Sequence, residues 1–180
     1  MINGINISAL SEFSHEVIEL PEEARATYGA RLDWESGTKS KVTTKTMSLG
    51  NHRTIRNFEM GVDEPRSLLG LNTAPNPQEY LLAALAGCMS VVFMAGASMM
   101  DIKIESLQID TEGELDLTGF LHADGDSTAG LPRIDYFIRV KGTGTEAQYQ
   151  QLINRITRHS PNYATLASPV ELVPHLIIED

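Results

Sequence analysis

The chain is poor in cysteine and in basic side chains. Cys88 is its only cysteine in 180 residues, and 14 Lys and Arg face 24 Asp and Glu, which gives a net charge of −10. A single cysteine excludes an intramolecular disulfide and any CxxC metal or redox motif. The negative charge argues against nucleic acid or an anionic membrane as a partner, because phosphate binding requires a concentrated basic face.

Motifs of several catalytic classes are also missing. There is no GxSxG nucleophile elbow, no P-loop and no GxGxxG. Asp124 to Thr128 resembles a calcium loop only superficially, since it lacks the sixth-position glycine and the closing glutamate. The histidines lack the spacing of a zinc site; they are His15, His52, His122, His159 and His175. We therefore expect neither a metal nor a cofactor.

The N-terminus has no basic region and no long apolar core, so the sequence predicts no signal peptide. A free thiol suits a reducing cytoplasm, where we expect the protein to reside. Tyr80 to Met100 carries no charge and has the length of a membrane span. It is rich in Ala, Gly and Ser, however, which is typical of a helix packed on all sides in a soluble core or dimer.

Hydrophobic periodicity predicts an α+β domain preceded by a helical extension. Met1–Thr27 forms the extension, with a helix from Ser8 to Leu20, and residues 28–180 form one domain. Its long hydrophobic helix runs from Gln78 to Met100, and Thr145 with Gln148 predicts a capping box for a later helix. The predicted strands are Tyr28–Glu35, Lys39–Leu49, Thr54–Val62, Lys103–Thr111, Glu114–Leu121, Arg133–Lys141 and Val170–Ile178.

Cys88 lies inside the long predicted helix, which leaves two interpretations open. A thiol is the one strong nucleophile in the chain, and its neighbours set its reactivity. A buried free cysteine, on the other hand, is often inert core packing. Thiol reactivity distinguishes the two, because a catalytic cysteine is a thiolate near neutral pH.

The segment from Asn76 to Cys88, NPQEYLLAALAGC, resembles the central-helix motif of the OsmC/Ohr superfamily of osmotically inducible and organic hydroperoxide resistance proteins. The segments Asp63–Gly70 and Gly113–Leu121 are also similar to a subgroup of it, and the element order matches from Tyr28 onward. The resemblance implies an intertwined homodimer with antiparallel sheets around a long central helix. It also implies reduction of hydroperoxides by Cys88, whose thiolate would attack the O–O bond and become a sulfenic acid.

Three positions depart from the family pattern. Its resolving Cys-Pro pair corresponds to Ser160-Pro161, so an external thiol would have to reduce the sulfenic acid; otherwise we interpret Ser160 as a helix-terminating residue. The family glutamate falls on Gln78, with Glu79 one position later. The family's activating arginine has no certain counterpart, and Lys41 or Lys39 is the nearest basic residue.

Helix geometry bears on these candidates independently. Gln78 and Glu79 lie about 15 Å along the helix axis from Cys88. No side chain spans that distance, so a carboxylate acting on Cys88 would come from a helix bend or from another subunit. Two functions are thus predicted: reduction of small hydroperoxides in a homodimer with an external thiol reductant, or a catalytically silent OsmC-fold protein that binds a small apolar ligand or is structural, with Cys88 in its core.

Overall fold

The structure is a computed structural model that describes residues 1–121 and 129–179. The chain consists of two compact units, Met1–Ala83 and Ala84–Asp180. The turn expected at Asp124–Thr128, together with His122, lies outside the described residues. The predicted division into an extension of residues 1–27 and a domain of residues 28–180 stays a prediction.

The first unit begins with an exposed helix, α1 (Ile7–Glu19), none of whose residues is buried. Its cap is Asn6, whose side chain accepts a hydrogen bond from the Ala9 amide, so the helix begins one residue before the predicted start at Ser8. Short 3₁₀ turns follow at Pro21–Ala24 and Arg66–Leu68. Six strands form the rest: β1 (Ala26–Thr27), β2 (Ala30–Ser36), β3 (Lys39–Thr44), β4 (Met47–Leu49), β5 (His52–Thr54) and β6 (Glu59–Val62).

These strands form two antiparallel sheets of three. One has the order β1-β4-β5 and the other the order β2-β3-β6. In the second sheet Leu32 lies opposite Val42 and Val42 opposite Met60. The predicted segment Lys39–Leu49 is therefore two strands in different sheets, because the chain leaves one sheet after Thr44 and enters the other at Met47.

The long helix α2 (Pro77–Met99) confirms the central prediction of the sequence. It begins with a capping box in which the Glu79 carboxylate accepts from the Asn76 amide and the Asn76 side chain accepts from the Glu79 amide. Pro77 follows the cap, where its missing N–H costs nothing. By length and composition alone α2 could cross a membrane, a criterion that the core helices of soluble proteins also meet, and a third of its most apolar window is buried.

The second unit packs most of α2 against a strand pair and two helices. The strands are β7 (Ile104–Gly113) and β8 (Ile134–Gly142), which are antiparallel, and the helices are α4 (Glu146–His159) and α5 (Pro161–Ala167). The Thr145–Gln148 capping box of α4 is present as predicted. The core consists of Leu85, Met89, Phe93, Ala97, Ile102, Leu152 and Ile156.

Two predicted strands are wrong. Glu114–Leu121 is not a strand, since β7 ends at Gly113 and a single helical turn, α3 (Leu117–Phe120), follows a cap in which Asp116 accepts from the Thr118 amide. Val170–Ile178 has no strand partner within the described chain. The fold class is nevertheless confirmed: the protein is α+β, with antiparallel sheets and one long hydrophobic helix.

Candidate functional site

Cys88 lies midway along α2, and its side chain is half-buried. The next residue, Met89, is fully buried in the core, so the helix face that carries the thiol lies at the edge of the packed interior. The Ser160 hydroxyl donates a hydrogen bond to Cys88 Sγ over 3.2 Å. The structure thus joins two of the predicted site residues, which are 72 positions apart in the chain.

Ser160 is held rigidly because it belongs to two helix ends at once. Its amide donates to the Ile156 carbonyl at 3.0 Å, which closes α4, and its hydroxyl oxygen accepts from the Tyr163 amide at 3.3 Å, which opens α5. Only 1% of Ser160 is exposed. The residue ends a helix as expected from the sequence, and the same geometry directs its hydroxyl proton at the sulfur.

The surroundings of this pair fix α5 to α2. The Asn162 side-chain amide donates to the Ala84 carbonyl at 2.9 Å, one turn before Cys88. Tyr163 stacks edge-on against Tyr136, with ring centroids 6.5 Å apart. Burial raises the pKa of the Tyr136 hydroxyl above its ordinary value, so this ring stays neutral.

Lys41 belongs to the first unit and is paired. Its ammonium donates to the Glu59 carboxylate at 3.0 Å across the β3–β6 pair. This hydrogen bond and the charge of Glu59 raise the pKa of Lys41, so its ammonium is held charged. Lys39, the alternative basic residue, forms a separate ion pair with Glu35 at 3.0 Å.

Gln78 and Glu79 also belong to the first unit, in the opening turn of α2. Gln78 is exposed, and the Glu79 carboxylate serves the capping box with Asn76. A sequence signal for that cap existed, because Asn followed three residues later by Glu before an apolar run is the capping-box pattern.

Asp63 was named from the sequence only as the first residue of a segment similar to the family. Asp63 is fully buried and accepts hydrogen bonds from five donors: Thr38 Oγ1, the Glu64, Leu71 and Thr73 amides, and Thr73 Oγ1. The loop that leads into α2 is organised around this carboxylate. In residues 1–121 and 129–179, no three His, Cys, Asp or Glu side chains come together as a metal-binding group would.

Comparison with solved structures shows the same fold in several proteins. An OsmC-like protein from Mycoplasma pneumoniae superposes with a TM-score of 0.62 at 17% identity, over 78% of this chain and 87% of that one. An OsmC-like protein of unknown function from Vibrio cholerae gives 0.60 at 13% identity, over 77% and 92%. An organic hydroperoxide resistance protein from Legionella pneumophila gives 0.52 at 18% identity, over 78% and 88%.

At these identities the similarity extends to the fold alone. A comparison with curated proteins gave no match. The sequence profile of the family described as OsmC-like protein, however, matches residues 70–174, which is more than half of the chain. This stretch includes the α2 motif, Cys88 and Ser160. The chain therefore belongs to the family of OsmC-like proteins.

Proposed function

We propose that the protein reduces organic hydroperoxides with Cys88 as the nucleophile and an external thiol as the reductant. The observation that carries this proposal is the hydrogen bond from the buried Ser160 hydroxyl to Cys88 Sγ at 3.2 Å. A sulfur atom that reacts through its anion gains from a fixed donor, since hydrogen bonds to charged atoms are the strong ones. The half-buried position of Cys88 also leaves the sulfur within reach of a small substrate.

The proposed reaction starts with attack of the Cys88 thiolate on the terminal oxygen of the hydroperoxide. The S–O bond forms as the O–O bond breaks, the leaving alkoxide takes up a proton as the alcohol, and Cys88 is oxidised to a sulfenic acid. A thiol of the external reductant then attacks the sulfur and releases water, which leaves a mixed disulfide. A second thiol regenerates the Cys88 thiolate and leaves with the first as a disulfide.

The proposed mechanism differs from a two-cysteine mechanism because Ser160 stands where a resolving cysteine would be. A hydroxyl cannot form a bond to the sulfenic sulfur, so the intermediate persists until an external thiol reaches it. Ser160 Oγ stays next to the sulfur, because the caps of α4 and α5 hold the residue in place. We assign Ser160 as a positioning residue that holds Cys88 Sγ and stabilises negative charge on it.

We propose that Lys41 supplies the positive charge that favours the Cys88 thiolate. Gln78 or Glu79, at the start of α2, would supply the polar contact that the family glutamate makes. The Lys41–Glu59 pair supports this, because it presents a basic residue of a hairpin strand held by a glutamate. Gln78 and Glu79 lie about 15 Å along α2 from Cys88 of the same chain, which is too far for a side chain to span. The proposal therefore includes a homodimer, in which these residues come from a second copy. Exposed apolar side chains support a dimer, among them Val91 on α2, which is 68% exposed.

The test is consumption of cumene hydroperoxide with excess dithiothreitol by the purified protein. We expect turnover in the wild type and none in Cys88→Ser, with Ser160→Ala retaining the nucleophile but reacting about tenfold more slowly. Lys41→Met and Lys39→Met form a matched pair in which only the first slows the reaction. Absence of turnover in the wild type, together with no alkylation of folded Cys88 by iodoacetamide, would overturn the proposal.

The second candidate is a catalytically silent protein of the same fold with an apolar ligand or a structural role. Its support is the second role of Ser160, which caps two helices and would be retained for folding alone. This candidate predicts that Ser160→Ala lowers the melting temperature without any peroxidase activity to lose. The location that we propose for either function is the cytoplasm, where the free thiol of Cys88 remains reduced.

A further inference from the structure

A cavity of about 470 Å³ lies between the last turn of α2 and the last turns of α4. This volume is in the range of small-molecule sites. Its lining includes apolar side chains, namely Met99, Met100 and the fully buried Leu152. It also includes the basic side chains Arg155, Arg158 and His159. None of the described residues that line it is acidic.

Within residues 1–121 and 129–179, neither arginine of this cavity has an acidic partner. The ion pairs of the described residues join other groups, and none includes Arg155 or Arg158. Arg155 Nε is buried without a hydrogen-bond partner among the described residues, an arrangement that costs free energy unless a partner is supplied.

Gly96 allows Arg155 to lie this close to α2. A Cβ at that position would come within 2.8 Å of Arg155 Cδ and 2.8 Å of Leu152 Cδ2. The guanidinium meets only a weak acceptor there, since Arg155 Nη2 is 3.7 Å from Met99 Sδ. Met99 is 54% exposed and flexible, so a ligand can displace its thioether from the edge of the guanidinium that carries Nε and Nη2.

We propose that this cavity binds an amphiphilic carboxylate, a molecule with one carboxylate group and a short hydrocarbon body. The carboxylate accepts two parallel hydrogen bonds from Arg155, the geometry for which a guanidinium is suited, and Arg158 adds a second positive charge. The hydrocarbon lies on Met99, Met100 and Leu152. Their apolar surface gives the preference over inorganic anions.

This site is separate from the chemistry proposed for Cys88. Met99 lies about 16 Å along α2 from Cys88, so a small ligand in the cavity does not touch the sulfur. The negative end of the α4 dipole opposes an anion here. The two arginine charges must exceed that effect, and for this reason the test measures each charge by itself.

The experiment is isothermal titration calorimetry of the full-length protein with octanoate. We expect binding of octanoate, at least tenfold weaker binding of octanamide, which lacks the charge, and of acetate, which lacks the hydrocarbon. Arg155→Gln should weaken octanoate binding about tenfold or more, and Arg155→Lys should recover only part of it because an ammonium lacks the fork. Lys103→Gln is the matched control, since it removes one exposed positive charge from the same unit but none from the cavity.

Circular dichroism of each variant shows whether α4 is intact. Arg158→Gln is a second test of the cavity, and because Arg158 is exposed this substitution is not expected to disturb folding. Equal affinity for octanoate and octanamide would overturn the proposal. So would unchanged binding in both arginine variants, or no heat of binding at millimolar octanoate. Because Cys88 is absent from the cavity, Cys88→Ser should bind octanoate normally even if the peroxidase proposal fails.

Discussion

At the scale of single residues, Asp63 shows how a buried charge can organise a loop. Its carboxylate has no exposed surface, and its two oxygens accept hydrogen bonds from backbone amides and threonine hydroxyls. Backbone and side-chain hydrogen bonds from Thr73, followed by those from Thr38 and Glu64, hold the pKa of Asp63 far below its ordinary value. The carboxylate is therefore charged in the folded protein at all but strongly acidic pH.

Asp63→Asn should destabilise the protein although it is nearly isosteric. An amide turns two donors toward groups that are themselves donors, so buried N–H and O–H groups lose their acceptor. We expect the melting temperature to fall by about 5 °C or more, measured by differential scanning calorimetry. Asp101→Asn is the matched control: Asp101 is exposed with φ of 57°, a conformation that asparagine also tolerates, and its melting temperature should not change.

The melting temperatures of the wild type and of Asp63→Asn should depend differently on pH, with a sign that follows from the lowered pKa of Asp63. Since the folded pKa of Asp63 lies below the unfolded one, its contribution to stability is complete above about pH 4 and is lost as the pH falls toward the folded pKa. The wild-type melting temperature should decrease more steeply than that of Asp63→Asn below pH 4. Parallel curves would show that this carboxylate does not stabilise the fold.

The pairing of Cys88 with Ser160 marks what the sequence could and could not predict at this scale. The thiol was identified from its rarity and its motif, and Ser160 from the resemblance of Ser-Pro to a Cys-Pro pair. Their contact at 3.2 Å depends on α5 packing on α2 through Asn162, which no local pattern encodes. Lys41 was identified as a basic residue, whereas its pairing with Glu59 required the register of two strands.

Ser160→Cys should convert the site into one that can close a disulfide. A sulfur in place of the Ser160 hydroxyl starts within about 3 Å of Cys88 Sγ, and an S–S bond needs a movement of about 1 Å. After one equivalent of hydroperoxide, intact-protein mass spectrometry should show the loss of two hydrogens and no free thiol. The control is Ser90→Cys, on α2 itself, which should not form the bond; persistence of two free thiols in Ser160→Cys would contradict the geometry.

At the scale of helices and strands, the successes and the errors of sequence analysis have one physical origin. The helices α1, α2 and α4 were predicted because their hydrogen bonds and caps are local, as in the Thr145–Gln148 box of α4, whereas α5 was not predicted. Strands depend on partners elsewhere in the chain. Glu114–Leu121 has suitable composition, but Asp116 caps a helical turn there, a local hydrogen bond that competes with strand pairing.

Two substitutions of Glu79 separate its role in the helix cap from a role in catalysis. Glutamine can still reach the Asn76 amide, so Glu79→Gln should change the free energy of unfolding by less than about 0.5 kcal/mol, whereas Glu79→Ala should cost about 1 kcal/mol. Urea denaturation measures both. If Glu79 acts only as a cap, both variants keep the peroxidase activity of the wild type under conditions where they are fully folded; a loss of activity in both, with stability unchanged, would contradict the cap assignment.

At the scale of the whole molecule, the C-terminal segment is an apolar sequence that has no strand partner in the part of the chain that the structure describes. Leu172, Leu176 and Ile178 are 87%, 86% and 81% exposed. Burial of one such side chain is worth about 1.5–3 kcal/mol, so several of them exposed together favour association. The periodicity that predicted a strand at Val170–Ile178 is therefore explained if the segment pairs with a second copy of the chain, which the homodimer proposal requires.

Removal of residues 169–180 should then convert a dimer into a monomer. The full chain is expected at twice its 19.8 kDa by light scattering coupled to size exclusion, and the truncated chain near the mass of one copy. The core lies between Leu85 and Ile156, so the helical signal in circular dichroism should persist after truncation. Leu172→Asp with Leu176→Asp tests the same surface without shortening the chain, because charge on this segment opposes its burial.

Removal of residues 1–20 is the matched control. The helix α1 also exposes apolar side chains at a chain end, but its removal should leave the mass of the assembly at two copies. A dimer that survives both C-terminal changes would show that association uses other surfaces, of which the exposed face of α2 around Val91 is the next to test.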